Sequence, residues 1–156
     1  MSIDLDIQRD VSDNSSDLPS DEEFHLWVET VLSDQENSEL TIRLCNVEEI
    51  SSLNETYRQK TGSTNVLSFP AELPEELNLP LLGDIVICAS VVEKEAEEQK
   101  KSLEAHWAHM VVHGVLHLLG YDHVEEDEAE IMEEKEINIL SKLLGYKNPY
   151  SVMESI

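Results

Sequence analysis

Apolar residues alternate with polar ones in the first part of the chain, which indicates extended structure. Ile3, Leu5 and Ile7 alternate within residues 2–9, and Leu40, Ile42 and Leu44 repeat the pattern. A period of two residues is typical of a strand with one buried face. Residues 66–71 and 84–89 are predicted as two further strands, and the proline-containing segment between them is predicted as a surface loop.

The intervening segments show helical spacing. Ser20 and Glu23 form a capping box, and apolar residues then follow at helical spacing: Phe24, Trp27, Val28, Val31 and Leu32. Asn46 is expected to cap a second helix that carries Ile50, Leu53 and Tyr57. Ser90 is expected to cap a third, charged helix that ends near Lys101.

The longest apolar helix is predicted over residues 103–119, with Gly120 as its left-handed C-terminal cap. A last amphipathic helix is predicted over residues 125–144, with a buried stripe of Ile131, Met132, Ile137, Leu140 and Leu143. This order of elements predicts an α+β fold, in which a mixed four-stranded sheet packs with about five helices. The length fits a single domain over residues 1–156.

Composition narrows the setting in which the chain works. No stretch reaches the length of a membrane span, and the N-terminus lacks the basic and apolar regions of a signal peptide. Cys45 and Cys88 each lie in an apolar, strand-like run, so buried thiols are expected rather than a disulfide or a metal site. We therefore expect a soluble protein in a reducing, cytoplasmic compartment.

The net charge of −24 is unusual, since 34 acidic residues oppose 10 basic ones. Such a field disfavours non-specific attraction to membranes or nucleic acid, so neither a membrane nor DNA is expected as a partner. A polyanionic substrate would need a local basic patch, and the loop over residues 58–65 contains two of the basic residues. The dense acidic block at residues 125–136 is predicted to be a solvated helix face.

Three histidines have the spacing of a metal site. His113 and His117 lie four residues apart on the predicted helix, so both imidazoles can reach one ion from one face. Because Gly120 ends the helix, the chain can turn and bring His123 to the same ion. Three neutral imidazoles suit one Zn²⁺ per chain and leave a fourth position open for water, as in catalytic zinc sites. Isolated His25, His106 and His109 are instead expected to be core-facing histidines bonded to carbonyls.

The spacing is that of the extended zincin motif with one departure. Gly114 stands where a metalloprotease carries its general-base glutamate, which makes peptide hydrolysis by the usual route doubtful. A glycine within a helix also costs about 1 kcal/mol relative to alanine, so close packing is expected at this position.

The sequence resembles the YbeY endoribonuclease family in four segments. They are His113-Gly-Val-Leu-His117-Leu-Leu-Gly-Tyr-Asp-His123, Thr64-Asn-Val-Leu-Ser-Phe-Pro70, Gly83-Asp-Ile85 and Leu53-Asn-Glu-Thr-Tyr-Arg58. The resemblance implies a zincin-like fold, a three-histidine zinc site and a single-strand-directed endoribonuclease. It also implies a role in maturing the 3′ end of small-subunit ribosomal RNA and in ribosome quality control. The implied partners are ribosomal RNA as substrate, the small ribosomal subunit, a ribosomal protein and a ribosome-assembly GTPase.

Phosphodiester cleavage requires a cation near the metal, because charge develops on the phosphoryl oxygens. Arg58 is the candidate catalytic cation beside the ligand His113, although a surface salt bridge is an alternative role for Arg58. Thr64, Asn65 and Ser68 either donate hydrogen bonds to substrate or shape the turn. Asp84 and Asp122 are candidates both for orienting a ligand imidazole and for a turn or cap.

Two other functions fit the sequence. One is a different metal-dependent hydrolase, such as a peptidase with an unrecognised base, which Gly114 argues against. The other is a ribosome-assembly factor whose zinc mainly holds the C-terminal helices together. A closed structural site would have a fourth protein ligand where an enzyme site would have water.

Overall fold

Four strands form one mixed sheet in the computed structural model, which describes residues 2–11, 18–35, 37–71, 79–121 and 126–144. The strands are β1 (Ile3–Arg9), β2 (Ser38–Cys45), β3 (Val66–Pro70) and β4 (Leu81–Cys88). Their order across the sheet is β1-β2-β4-β3. The first two pairings are parallel and the β3–β4 pairing is antiparallel, so β3 is an edge strand.

Within these residues the chain also forms five helices, which are α1 (Asp21–Val31), α2 (Val47–Arg58), α3 (Ala89–Glu98), α4 (Leu103–Leu118) and α5 (Glu126–Leu144). The expected α+β class, mixed sheet and helix number are confirmed. Among the described helices, none combines the length and the apolar composition that crossing a membrane would require.

The helix starts follow the predicted capping chemistry only in part. Ser20 and Glu23 form the full capping box of α1. Asn46 occupies the N-cap position of α2, but its side chain makes no capping hydrogen bond there. The prediction for Ser90 was wrong, because α3 already begins at Ala89, directly after β4, with Cys88 at the N-cap. Because α3 follows β4 with no residue between them, the tertiary context overrides the preference of serine for a cap.

Helix α4 lies at the centre of the molecule, in contact with β3, β4, α1, α3 and α5. The inward residues of β4 on this face are Ile85 and Ile87, and both are fully buried. The opposite face of β4 carries Val86 and Cys88, which pack with Cys45 below α2. The sheet thus has helices on both faces, and the larger core surrounds α4.

The two cysteines are free, buried thiols, as predicted. They are register partners on the parallel strands β2 and β4. Burial, followed by the neighbouring Cys88 and Glu49, raises the pKa of Cys45 to about 12. Cys45 is therefore an inert core residue at neutral pH.

The buried face of α5 differs from the predicted stripe. Ile131 is 52% exposed, whereas Met132 and Leu140 are buried and Ile139 and Leu143 are partly buried. Glu136 is also buried, so the acidic block is not a solvated face throughout. Met132, Leu140 and Leu143 of the predicted stripe are confirmed, whereas the prediction for Ile131 was wrong and the carboxylate of Glu136, at the correct helical spacing, was overlooked.

Candidate active site

A cleft of about 730 Å³ opens between the C-terminal half of α4, the edge strand β3 and the loop after α2. All three of these segments contain residues from the sequence motifs described above. The lining residues are Asn54, Arg58, Lys60, Thr64, Asn65, Val66, Leu67, Ser68, Pro70, His113, His117, Gly120 and Tyr121.

His113 and His117 both line this cleft and present their imidazoles to one another. Their rings are 4.6 Å apart between centroids, with an interplanar angle of 78°. The two Nε2 atoms are 3.1 Å apart. Two nitrogens on one tetrahedral zinc are about 3.3 Å apart, because each Zn–N distance is about 2.0 Å. The pair therefore fits two corners of a zinc site, and imidazole nitrogens are ligands that suit that ion.

The third predicted ligand, His123, lies outside the described residues, as does Asp122. Within the described part of the chain, no group of three or more histidine, cysteine or acidic residues is placed to hold a metal. Two of the three predicted ligands, His113 and His117, therefore lie in the described part of the chain, and the zinc site itself stays a prediction.

The end of α4 has the predicted glycine conformation. Gly120 has a φ of +104°, a backbone conformation that residues with a side chain rarely adopt. The backbone N–H of Gly120 donates to His117 O at 3.0 Å, and that of Tyr121 donates to Leu116 O at 3.1 Å. This is the Schellman type of helix ending, which ends the helix within three residues of His117.

Gly114 lies where α4 packs against the sheet. A Cβ at this position would approach Ile85 Cγ2 to 2.9 Å. On the same turn, the Ser68 hydroxyl donates to the Gly114 carbonyl at 3.2 Å. The expected close approach is confirmed, and its neighbours are an isoleucine of β4 and a serine of β3. A larger residue at position 114 would separate the helix from the strands that form the cleft.

Glu136 of α5 is the residue that sequence reasoning missed. Its carboxylate contacts His113 Nδ1 at 2.8 Å through Oε1 and His109 Nε2 at 3.0 Å through Oε2. Burial alone raises the pKa of this carboxyl, but the hydrogen bonds from the two histidines outweigh burial and hold the pKa well below its usual range. The available signal was spacing, since Glu136 lies four residues from both Met132 and Leu140.

His106 and His109 are core-facing histidines, as expected, but carboxylates rather than carbonyls bind them. His106 Nε2 lies 3.0 Å from Glu95 Oε1, and His109 Nδ1 lies 3.1 Å from Lys101 Nζ. Burial is the main cause that lowers the pKa of both imidazoles. The prediction for His25 was wrong, because this residue is exposed on α1 and lies 3.4 Å from Glu29.

Arg58 is the last residue of α2 and reaches across the edge of β3. Its Nη2 donates to the Ser68 carbonyl, and its guanidinium lies 5.2 Å from the centre of the Phe69 ring. None of the ion pairs formed among the described residues includes Arg58. The bond to Ser68 needs one of the five N–H donors of Arg58.

The other candidates divide between structural and cleft positions. Asn65 shapes the turn, because its Oδ1 accepts from the Val66 N–H at 2.7 Å and its Nδ2 donates to Glu95 at 3.1 Å. Thr64, Asn65 and Ser68 all line the cleft, so Asn65 has both positions. Asp84 is exposed and directly precedes the inward-facing Ile85 on β4. Its side chain is therefore on the sheet face away from α4 and does not orient His113.

The charge of the cleft is opposite to that of the whole chain. Arg58 and Lys60 line it, and no acidic residue is among its described lining residues. The full chain has 34 acidic and 10 basic residues. A local cationic site on an acidic protein favours the binding of an anionic ligand in this cleft.

Together, the fold and the cleft define an α+β protein with a histidine-lined, cationic cleft. The model of the family described as endoribonuclease YbeY matches residues 10–144. The chain belongs to this family, which makes it an endoribonuclease, a hydrolase that acts on RNA in ribosomal RNA maturation. Among solved structures, it is similar to the solution structure of TM1509 from Thermotoga maritima. That similarity has a TM-score of 0.61, 29% identity and coverage of 89% of each chain.

Proposed function

We propose that the cleft is a zinc-dependent active site that cleaves phosphodiester bonds in single-stranded RNA. Its zinc ligands would be His113, His117 and His123, the last of which lies outside the described residues. The observation that carries this proposal is the coincidence of the paired Nε2 atoms with two cations in one cleft of an otherwise acidic protein.

Each residue of the cleft has a chemical task in this proposal. Bound zinc would supply Lewis-acid polarisation of a phosphoryl oxygen and a water of lowered pKa. Arg58 would hold the non-bridging phosphate oxygens, because a guanidinium matches them with two parallel hydrogen bonds. Its contact with the Ser68 carbonyl fixes the guanidinium at the cleft wall before substrate arrives. Lys60 would bind a neighbouring phosphate as a point charge.

Peptide cleavage is not supported by the geometry at position 114. A glutamate general base there would collide with Ile85 of β4. Phosphoryl chemistry needs charge stabilisation more than an added carboxylate, so a glycine is compatible with it.

The natural substrate in this proposal is ribosomal RNA at the 3′ end of the small-subunit RNA, with a further role in ribosome quality control. The remaining partners would be the small ribosomal subunit, one of its proteins and an assembly GTPase, all in the cytoplasm. A net charge of −24 disfavours long contacts with naked RNA. Protein partners that bring the RNA to the cleft would compensate for this weak attraction.

The experiment is cleavage of one unstructured and one hairpin oligoribonucleotide by purified protein. Each is incubated with the protein as isolated, with the chelator-treated protein, and with chelator-treated protein after zinc is restored. We expect cleavage of the unstructured RNA that is lost with the chelator and regained with zinc. Full cleavage by the metal-free protein would refute the zinc dependence, and equal cleavage of the hairpin would refute the single-strand preference.

A further inference from the structure

A continuous chain of polar contacts runs from the start of α4 to His113. Lys101 Nζ lies 3.1 Å from His109 Nδ1, and His109 Nε2 lies 3.0 Å from Glu136 Oε2. Glu136 Oε1 then lies 2.8 Å from His113 Nδ1. The links are buried at their centre, since Glu136 is 1% exposed and His109 is 7% exposed. In a buried chain of hydrogen bonds, each contact needs one donor and one acceptor. The proton position on one residue therefore restricts the proton position on the next.

The donor chemistry of the first residue sets the direction of the whole chain. Burial lowers the pKa of Lys101, whereas the carboxylates of Glu136 and Glu95 raise it and favour the ammonium form. An ammonium group has donors only, so in this form Lys101 requires His109 Nδ1 to accept. His109 must then carry its proton on Nε2, from which it donates to the carboxylate of Glu136. An ionised carboxylate only accepts, so it takes a second hydrogen bond from His113 Nδ1–H. The proton on Nδ1 leaves a lone pair on His113 Nε2, the atom that meets His117 in the cleft.

We infer that Glu136 and Lys101 are positioning residues that fix His113 as the Nδ1–H tautomer, with the Nε2 lone pair directed to the cleft. This inference rests on the proposed zinc site, because it explains how that site is prepared for a metal. Hydrogen-bonded carboxylates commonly orient metal-binding histidines in this way. The additional feature here is that the carboxylate is shared with a second histidine, whose own tautomer a lysine sets.

The shared carboxylate makes the Glu136→Gln variant unusually informative. A glutamine side chain has one acceptor end and one donor end. Because Lys101 forces His109 to donate, the glutamine oxygen has to face His109. Its amide N–H then faces His113 Nδ1, which must accept, so His113 would move its proton to Nε2 and lose the lone pair needed for zinc.

Long-range ¹H–¹⁵N spectra of histidine side chains report these tautomers directly in metal-free, full-length protein. In the wild type we expect His113 as Nδ1–H and His109 as Nε2–H, and the reverse assignment of either histidine would overturn the inference. Glu136→Gln should convert His113 to the Nε2–H form. Its zinc affinity, measured by competition with a chromophoric chelator, should fall about 10- to 100-fold.

A double variant tests the part assigned to Lys101. In Lys101→Met with Glu136→Gln, His109 can adopt either tautomer, so the glutamine can adopt either orientation. We expect His113 to regain the Nδ1–H form in part and zinc to bind more tightly than in Glu136→Gln alone. If removing Lys101 gives no recovery, the direction of the chain is not set by this lysine. If both residues had a merely structural role, the double variant should bind zinc more weakly than Glu136→Gln alone.

The matched control is Glu133→Gln, which removes an exposed charge from the same helix and should change neither tautomer nor zinc affinity. If Glu136→Gln does not fold, the wild-type spectrum still decides the tautomers of His109 and His113. If the wild type binds no zinc, the proposed function fails, whereas the tautomer spectrum continues to test the inference independently.

Discussion

Helix α4 carries two pairs of histidines in two different environments. His106 and His109, near its start, are 2% and 7% exposed and bind Glu95 and Glu136. His113 and His117, near its end, line the cleft, and the side chain of His113 is 23% exposed. Spacing along the helix is similar in both pairs, so the residue types alone do not distinguish them.

The neighbours of the helix explain the difference. The first half of α4 is covered by α3 and α5, whose carboxylates hold the imidazoles in the core. Beside the second half, the edge strand β3 and the loop after α2 leave an opening that contains cations instead. Glu136 touches a histidine of each pair and therefore connects the two environments.

The largest effect is expected from removing one histidine of the second pair. His117→Ala should abolish zinc retention without unfolding the chain, because the core around α4 does not depend on this partly exposed residue. Metal content after gel filtration and far-UV circular dichroism would test both statements. His106→Gln is the matched change in the first pair and should retain one zinc per chain. Wild-type zinc content in His117→Ala would remove this residue from the site.

The next largest effect concerns the cations of the cleft. Arg58→Ala should lower RNA cleavage by about two to three orders of magnitude with zinc content unchanged, the loss typical of one transition-state donor. Arg58→Lys should recover only part of the cleavage rate, because an ammonium lacks the bidentate contact of a guanidinium. Lys94→Ala, which removes an exposed cation from α3, is the control and should cleave at the wild-type rate. An equal rate from Arg58→Ala would exclude Arg58 from the mechanism.

A smaller effect is expected at the close contact between α4 and β4. Gly114→Ala places a Cβ 2.9 Å from Ile85 Cγ2. Overpacking costs about 1–3 kcal/mol, from which the better helix propensity of alanine recovers about 1 kcal/mol. Urea unfolding should therefore show a net loss of about 1 kcal/mol. Adding Ile85→Val keeps Cγ2 but removes Cδ1, 3.2 Å from that Cβ, and should restore part of the stability. A more stable Gly114→Ala protein would mean that the helix is not held against the sheet here.

The last effect is the pH dependence of stability contributed by His106. Burial, above all, lowers the pKa of His106, with Glu95 raising it and Lys101 and His109 lowering it further. A depressed histidine pKa means that the unfolded chain binds more protons, so stability is complete above about pH 6.5 and falls as pH falls below it. The slope is at most about 1.4 kcal/mol per pH unit for this residue. Between pH 7 and 5, the free energy of unfolding should change less with pH in His106→Gln than in the wild type. An unchanged pH slope would contradict the assignment.

Local sequence determined much of this molecule. Alternation identified β1 and β2, the Ser20–Glu23 box identified the start of α1, and Gly120 identified the end of α4. Each signal depends on a residue and its immediate neighbours, so it can be read without the fold. The glycine at 114 also indicated close packing, although the sequence did not identify Ile85 as the neighbour.

Tertiary structure decided what the histidines and carboxylates do. The sequence placed Glu136 in an acidic block, and only the packing of α5 against α4 buries it between His109 and His113. The presence of Arg58 in the same cleft as His113 and His117 likewise depends on β3 lying at the edge of the sheet, where it contacts both Arg58 and α4. The physical reason is that burial and pairing of charges depend on contacts between residues far apart in the chain, whereas strands, caps and helix ends depend on residues within a few positions.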